Sequence, residues 1–173
     1  MADHVEQVLA QWRAERPDLD VSPMAVIGRL SQASRLVDAE LRRTFAEHGL
    51  DAASFDVLAT LTRAGPPYRL TPGQLTRAAM VTSGAITQRL DRLEARGLVA
   101  RTPSSSDGRA VHVTLTAAGH ATIDRALPDH LQTERRLLAG LTPEQRRTLA
   151  DALSLLITSI SKPTNQEPPQ ADR

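Results

Sequence analysis

The sequence predicts a mainly α-helical fold with one small two-stranded β element. Apolar residues recur at the i, i+3, i+4 spacing of an amphipathic helix over most of the 173 residues. Only the stretch that follows Gly97 alternates apolar and polar residues, as a half-buried strand does. Because aromatic residues make up only 2% of the chain, the core is expected to consist of Leu, Val, Ile and Ala.

Two helices are expected before residue 50. The first ends at Arg16-Pro17, because the residue before a proline disfavours helical geometry. Its apolar face comprises Val5, Val8, Leu9 and Trp12. The second has Ser22 as its cap and Pro23 in its first turn, and it ends at Gly49. Its apolar stripe comprises Val26, Leu30, Ala33, Val37, Leu41 and Phe45.

The next two helices carry clear N-terminal caps. Asp51 can cap a third helix, which ends before Gly65. Thr71 caps a short fourth helix, and Pro72 takes its first position. Gln74 follows Thr71 at the spacing of a capping box, which strengthens the prediction of a helix start here.

A fifth helix and a hairpin follow. Thr82 or Ser83 caps this helix, and Gly97 ends it. Its apolar face comprises Ile86, Leu90 and Leu93. Residues 98–102 and 110–115 have the alternation of two short strands, and the polar link between them contains the turn-forming pair Asp-Gly.

Two more helices complete the predicted fold. Thr116 caps a sixth helix that runs to about Leu138. Residues 142–145 repeat the Thr-Pro-x-Gln start and open the last helix. Its apolar face comprises Leu149, Leu153, Leu156 and Ile160. The tail, residues 162–173, is rich in Pro and Gln and is expected to be disordered.

Composition and motifs exclude several classes of protein. The chain has no cysteine, which excludes disulfides, thiolate metal sites and cysteine nucleophiles and fits a reducing cytosol. It begins without the apolar run of a signal peptide and has no apolar window of about 18 residues, so we expect a cytoplasmic protein with no membrane partner. The five histidines are scattered and no catalytic motif occurs. We therefore expect no enzyme, no catalytic residue, no cofactor and no metal site.

Positive charge is concentrated in the middle third of the chain. Residues 1–70 carry 8 basic and 10 acidic side chains. Residues 71–113 carry 3 acids against 6 arginines, which are Arg77, Arg89, Arg92, Arg96, Arg101 and Arg109. A local basic surface is typical of a protein that binds phosphates, although a merely solvated face can carry the same excess.

The order of elements in this region is that of a winged helix-turn-helix: two short helices, a tight turn and a two-stranded ribbon. In such a fold the second helix enters the major groove of DNA, and the ribbon loop can reach the neighbouring minor groove. The residues expected to contact double-stranded DNA are Ser83, Gly84, Thr87, Gln88, Arg92 and, in the ribbon loop, Arg109. Two alternatives remain: Ser83 and Thr87 can be only a cap and a surface residue, and a winged helix can serve as a protein-binding module.

Four segments resemble the MarR-type transcriptional regulators: FDVLATL, LTPGQL, TSGAITQRLDRLEARGLVAR and DGRAVHVTLTAAG. The resemblance covers about residues 20–160 and implies a homodimeric repressor, with interlocked first and last helices, on a pseudo-palindromic operator. It divides the chain into dimerisation and ligand-site helices at 1–50, a DNA-binding lobe at 51–116, dimerisation helices at 117–161 and the disordered tail at 162–173. One departure is the wing tip, where Asp107-Gly108-Arg109 replaces the usual Asp-Arg-Arg and one cation is missing.

A more specific resemblance is to the urate-responsive, PecS-like branch of that family. Regulators of that branch share a tryptophan on an added N-terminal helix, an aspartate in the FDVL segment and two arginines, one in TxRLDRLE and one just beyond GLV. The matching residues here are Trp12, Asp56, Arg89 and Arg101. The resemblance implies that a small planar anion such as urate binds at these four residues and releases the DNA.

The chemistry of the four residues suits such a ligand. An anionic purine would stack on the indole of Trp12 and receive paired hydrogen bonds from the guanidinium of Arg89. Asp56 interrupts an apolar stripe, and a buried carboxylate needs a partner, for which Arg101 is the candidate. An incoming anion would repel Asp56, disturb that pair and shift the reading helix.

Each of the four residues also has a purely structural interpretation. Trp12 can be a packing residue, and Arg89 can hold a phosphate. Asp56 and Arg101 can form a static ion pair. An aromatic acid or a tricarboxylate is an alternative ligand, and a metal-sensing regulator is a further alternative.

Overall fold

Seven α-helices and a small antiparallel sheet make up the part of the chain that the structure, a computed structural model, describes: residues 3–79, 86–103 and 111–161. The helices are α1 (His4–Glu15), α2 (Ser22–Glu47), α3 (Ala52–Arg63), α4 (Pro72–Ala78), α5 (Ile86–Ala95), α6 (Ala117–Leu137) and α7 (Pro143–Ser161). The strands are β1 (Arg69–Leu70), β2 (Val99–Pro103) and β3 (Val111–Leu115). The mainly helical class predicted from the sequence is confirmed.

The chain divides into two compact units, Met1–Glu134 and Arg135–Arg173. The first unit contains helices α1 to α5, the sheet and most of α6, and the second contains the end of α6 and all of α7. The sequence analysis had divided the chain by role into dimerisation and ligand-site helices, a DNA-binding lobe, further dimerisation helices and a tail. That division stays a prediction.

Apolar packing and ion pairs fix α1 onto α2. Val5 and Leu9 of α1 are buried in a small cluster against α2. The guanidinium of Arg29 on α2 contacts the carboxylates of Asp3 and Glu6, at 2.8 and 3.2 Å. Since exposed ion pairs contribute little to stability, the apolar cluster is the main cause of this packing.

The ends of α2 and α3 test the predicted caps. Ser22 was expected to cap α2, and this was wrong: Val21 holds the cap position without a side-chain hydrogen bond, and Ser22 is already helical. Its amide and hydroxyl both donate to Asp20, at 2.9 and 3.0 Å, so the carboxylate two residues earlier takes over the role. Gly49 follows α2 with a positive φ of 64°, and Asp51 caps α3 by accepting an amide hydrogen bond at 2.7 Å, both as predicted.

The main core of the first unit is aliphatic, as the composition predicted. Its fully buried members are Val57, Leu58, Leu61, Leu75, Leu90, Leu93, Val99, Val113, Ile123 and Ala126. The two phenylalanines add a stacked pair at the edge of this core, with the rings of Phe45 and Phe55 4.5 Å apart. Helices α3, α4 and α5 and the sheet therefore share one interior, which holds them as one lobe.

The sheet has three strands in the order β1-β3-β2, so the prediction of a two-stranded wing was incomplete. The strand that was missed is β1, in which Arg69 lies opposite Thr114 and Leu70 opposite Val113. A strand of two residues is too short to produce an alternating pattern in the sequence. β2 pairs with the other side of β3, with Arg101 opposite Val113. In the part of the chain that the structure describes, no strand lies along the outer edge of β2.

A close contact seats the start of α6 on the end of the lobe. The Thr116 hydroxyl accepts from the Gly119 amide at 3.0 Å, as predicted for a cap, and donates to the Gly97 carbonyl at 2.6 Å. A Cβ atom at Gly119 would lie 2.0 Å from the Leu98 carbonyl oxygen. Only glycine permits this approach, since real Cβ atoms do not come that close to backbone.

The second unit is dominated by α7, which begins with the predicted capping box. The Thr142 hydroxyl accepts from the Gln145 amide at 3.2 Å, and the Gln145 side chain accepts from the Thr142 amide at 2.9 Å. None of the 19 residues of α7 is buried. Its exposed apolar side chains include Leu155, Ile157 and Ile160, each with more than 60% of its surface accessible.

In the described part of the chain, no helix combines the length and apolar character needed to cross a membrane.

Candidate DNA-binding and ligand site

Helices α4 and α5 are the two helices of the predicted helix-turn-helix. The capping box at the start of α4 is present: Thr71 accepts from the Gln74 amide at 3.2 Å, and the Gln74 side chain accepts from the Thr71 amide at 2.8 Å. At the other end, Arg63 of α3 donates to the Ala78 carbonyl at 3.1 Å. The last turn of α4 is therefore anchored to α3 just before the segment that leads to α5.

The two faces of α5 differ in exposure. Leu90 and Leu93 are buried in the core of the lobe. Thr87, Gln88 and Arg92 are exposed, so these three of the predicted DNA-contacting side chains lie on the solvent side of the helix. Hydrogen-bonding groups and a cation are thus available on the outer face, as a helix in a major groove requires.

The other three predicted DNA contacts, Ser83, Gly84 and Arg109, lie outside the described residues, as does the predicted cap at Thr82 or Ser83. Their roles stay predictions.

Arg101 on β2 is bound to α5. One of its terminal nitrogens lies 2.7 Å from Asp91 and 3.5 Å from Glu94, and the other donates to the Thr87 carbonyl at 3.2 Å. The Arg101 amide also donates to Glu94, at 3.1 Å. The sequence had suggested Asp56 as its partner, but the ion pairs found for Arg101 in the described part of the chain are with the two acids of α5.

Arg89 has a hydrogen-bond donor that no described residue uses. It lies half-buried on α5, and its Nη1 atom is buried without a hydrogen-bond partner among the described residues. Burial works against ionisation of nearby Asp51, but hydrogen bonds from Ser54 and the charges of Arg89 and Arg92 outweigh it and hold the Asp51 pKa below its usual range. A buried guanidinium nitrogen without an acceptor is costly, so an arriving acceptor would be bound favourably.

The other two predicted ligand residues lie on different helices. Asp56 is half-buried on α3, between the buried Phe55 and Val57. Trp12 is on α1 with 42% of its surface exposed. The four predicted ligand residues thus come from α1, α3, α5 and β2, and the structure places the two arginines on adjoining elements of one lobe.

Asp91 and Glu94 are the residues that the sequence analysis missed. They had been counted only as negative charges offsetting the arginines. A signal was available, because Thr87, Asp91 and Glu94 follow i, i+4, i+7 spacing and so lie along one face of a helix. The position of β2 against that face could not be read from the spacing.

A separate apolar groove of about 510 Å³ lies between α1 and α2, lined by residues that include Val8, Met24 and Ile27. Trp12 does not line it. The groove is therefore a different feature from the four-residue set.

The histidines give no support to a metal-sensing regulator. His48 contacts Asp129 at 2.9 Å, and His130 contacts Glu134 at 3.2 Å. Each of these two histidines therefore meets one carboxylate. Among the residues that the structure describes, no three His, Cys, Asp or Glu side chains are grouped as metal ligands.

Comparison with known sequences places this lobe among transcriptional regulators. The sequence model of the MarR family matches residues 48–110, which span α3, α4, α5 and β2. The HTH-type transcriptional regulator PecS of Dickeya dadantii (strain 3937) is 44% identical over 145 residues, covering 84% of this chain and 87% of PecS.

Comparison with solved structures also finds proteins that bind DNA. Sco3205, a MarR family transcriptional regulator from Streptomyces coelicolor in complex with DNA, matches with a TM-score of 0.75 and 25% identity, over 85% of this chain and 96% of that one. BpsR of Bordetella bronchiseptica, whose DNA binding is regulated by 6-hydroxynicotinic acid, matches with a TM-score of 0.69 and 27% identity, over 76% and 91% of the two chains.

Proposed function

This chain belongs to the MarR family and is a DNA-binding transcriptional regulator, not an enzyme; we propose that it is a homodimeric repressor that a small planar anion such as urate releases from a pseudo-palindromic operator. The observation that carries the proposal is the structure of α5, whose inner face is buried while polar and cationic groups line its outer face. The dimer, the operator symmetry and the ligand are the proposed parts.

DNA contact is assigned to the outer face of α5 and to the wing. Thr87 and Gln88 supply hydrogen-bonding groups for base edges or phosphates, and Arg92 supplies a phosphate contact. Ser83 and Gly84 precede them in the sequence, and Arg109 is assigned to the minor groove. These assignments follow from the family and from the exposure of the described side chains.

Exposed apolar surface supports the dimer. Val26 and Ile27 on α2 are 61% and 54% exposed, and Ile157 and Ile160 on α7 are 63% and 71% exposed. Large apolar side chains exposed in such numbers on a helix are typical of an association site. A two-fold dimer would present two reading helices to half-sites about 34 Å apart, which is why a pseudo-palindromic operator is proposed.

The unpaired donor on Arg89 supports an anionic ligand. Within residues 3–79, 86–103 and 111–161, its buried Nη1 has no acceptor, and the carbonyl or anionic oxygen of a purine would supply one. The exposed indole of Trp12 offers a stacking surface. Urate combines a planar ring with negative charge and fits both groups, and Asp56 and Arg101 complete the proposed set.

Aromatic acids and tricarboxylates are the alternative ligands. BpsR, in which 6-hydroxynicotinic acid regulates DNA binding, favours a planar aromatic anion among these. A tricarboxylate can meet the arginines but has no ring to stack on an indole. The response of Trp12 therefore separates the two classes.

Titration with urate tests the ligand proposal. Trp12 is the only tryptophan, so fluorescence reports on one position. We expect urate to quench it and, over the same concentration range, to release a duplex that the protein has selected from a random-sequence pool. Arg89→Gln should abolish both effects. Arg77→Gln, which makes the same change of charge on α4, should leave the quenching intact.

Citrate and benzoate, run in parallel, represent the alternative ligand classes. Urate is excluded as the ligand if it neither quenches the fluorescence nor releases the duplex. Release of the duplex without quenching would remove Trp12 from the site.

Salt-dependent binding tests the DNA proposal. The affinity for the selected duplex should fall steeply with salt, because phosphate contacts release counterions. Arg109→Ala should weaken binding and reduce the salt slope by about one. An unchanged gel-shift midpoint for Arg109→Ala would count against the wing contact, and the lack of any salt dependence would favour a protein-binding module.

A further inference from the structure

One arginine connects α5 to the free edge of the sheet. The guanidinium of Arg101 reaches along one face of α5 and contacts Thr87, Asp91 and Glu94, the first through its backbone carbonyl and the other two through their carboxylates. The Arg101 side chain is only 25% exposed, so these contacts are partly shielded from water. We call this set of four residues the α5–β2 clamp.

The backbone takes part in the clamp as well. β2 is an edge strand, since its pairing among the described residues is with β3 alone. The Arg101 amide donates to Glu94 at 3.1 Å, so a side chain of α5 supplies the acceptor that a neighbouring strand would otherwise supply. Side chain and backbone of one strand residue are thus both held by α5.

Electrostatics alone does not explain why a helix that approaches DNA carries the acids Asp91 and Glu94. Asp91 and Glu94 are the only acidic residues within Ile86–Ala95. Carboxylates on a helix that approaches phosphates would repel them, so removing either charge should strengthen DNA binding if nothing else depended on it. Pairing with Arg101 gives both acids a different role.

We propose that Asp91 and Glu94 are positioning residues for DNA binding: they hold Arg101, so that the reading helix and the wing strand meet the duplex as one rigid piece. This proposal rests on the proposed function, because it takes α5 as the helix that contacts DNA. The acids themselves contact no DNA, and their effect on affinity passes through Arg101.

The test measures how Asp91→Asn changes the affinity for DNA in two backgrounds, the wild-type protein and the Arg101→Gln protein. The proposal predicts changes of opposite sign. In the wild-type protein the substitution loosens the clamp, and we expect affinity for the selected duplex to fall about fivefold. In the Arg101→Gln protein the clamp is already lost and the acids are unpaired, so the same substitution removes a repulsive charge and should raise affinity. A purely electrostatic role predicts tighter binding in both backgrounds.

Two controls separate the clamp from charge and from folding. Asp124→Asn makes the same change of charge on an exposed position of α6 and should leave affinity unchanged. Glu94→Gln keeps an acceptor for the Arg101 amide, whereas Glu94→Ala does not. Exchange of the Arg101 amide, followed by NMR, should therefore accelerate in the alanine variant and much less in the glutamine variant.

The outcomes are distinguishable from a failure of the proposed function. If wild-type protein shows no salt-dependent DNA binding, the proposed function fails and the clamp has no role in DNA binding. If wild-type protein binds DNA but Asp91→Asn has the same sign in both backgrounds, or behaves as Asp124→Asn does, the clamp is overturned alone.

Discussion

Two regions of the molecule use the same residue types in opposite ways. One is the lobe that contains α3, α4 and α5, and the other is the C-terminal helix α7. In the lobe, aliphatic side chains such as Leu58 and Leu93 are fully buried. In α7, Leu155 and Ile160 are more than 70% exposed, and no residue of the helix is buried. The lobe thus obtains its hydrophobic stabilisation within one chain, whereas α7 has apolar surface left for a partner. Four experiments test how these regions are stabilised.

The largest effect is expected when charge is placed on the apolar surface of α7. Ile157→Glu combined with Ile160→Glu would bury two unpaired carboxylates in the proposed dimer interface, at a cost of at least ~4 kcal/mol, or about a thousandfold in the dissociation constant. Sedimentation velocity should show monomers at micromolar concentration. Thr158→Glu, on the opposite face of the same helix, should stay dimeric. A double variant that remains a dimer would show that this surface has another purpose.

The next effect is a loss of core packing in the lobe. Leu93 is fully buried, so Leu93→Ala should lower the free energy of unfolding by about 2–5 kcal/mol, measured by denaturant titration. This loss should not depend on protein concentration. The same truncation at Leu155, which is 73% exposed, should change stability only where association contributes to it. Equal losses at the two positions would contradict the contrast between the regions.

Adding a methyl group at Gly119 tests the close contact between the start of α6 and the lobe. In Gly119→Ala the added Cβ would overlap the Leu98 carbonyl, and we expect a loss of about 2 kcal/mol as the backbone shifts. Gly73→Ala, on α4 of the same lobe, places its Cβ in open space. That variant should gain about 0.5–1 kcal/mol from helix propensity. Thermal denaturation measures both, and opposite signs are the expected result.

The smallest effect concerns the cap of α3. The folded-state pKa of Asp51 is depressed, so its ionised form contributes stability above the unfolded pKa of about 4, and this stability is lost as the pH falls through the folded pKa. Asp51→Asn keeps a capping oxygen and should cost less than ~1 kcal/mol at pH 7. Its unfolding free energy should vary less with pH below about pH 4 than that of the wild type. If the unfolding free energies of the variant and the wild type depend on pH equally below about pH 4, Asp51 does not control this pH dependence.

Local signals in the sequence were sufficient for most of the fold. Capping residues such as Asp51, Thr71 and Thr116 act within one turn of their own helix, so the sequence contains all the partners involved. One error arose from a short strand paired at a distance, and the other from a competing local cap. Strand β1 forms because β3 lies beside it, and at the start of α2 the carboxylate of Asp20 took the role expected of Ser22.

The candidate site was less predictable, because its residues come from separate elements. The family resemblance pointed to Arg101, but the choice among acids depends on which helix packs against β2. Asp56 appeared the better partner because a carboxylate in an apolar stripe demands one. The structure places Asp91 and Glu94 against the arginine instead, and the roles of all ten predicted site residues await experiment.

The absence of buried residues in α7 has a consequence for the cell. Most helical stability in proteins comes from packing of an apolar face, so in the proposed dimer a second copy would supply the packing that α7 lacks in the single chain. For a self-associating regulator, the number of dimers at low abundance rises with the square of the number of free chains. If the proposed dimer is the form that binds DNA, expression level becomes a second input beside the proposed ligand, because few chains would leave most operators unoccupied even without ligand.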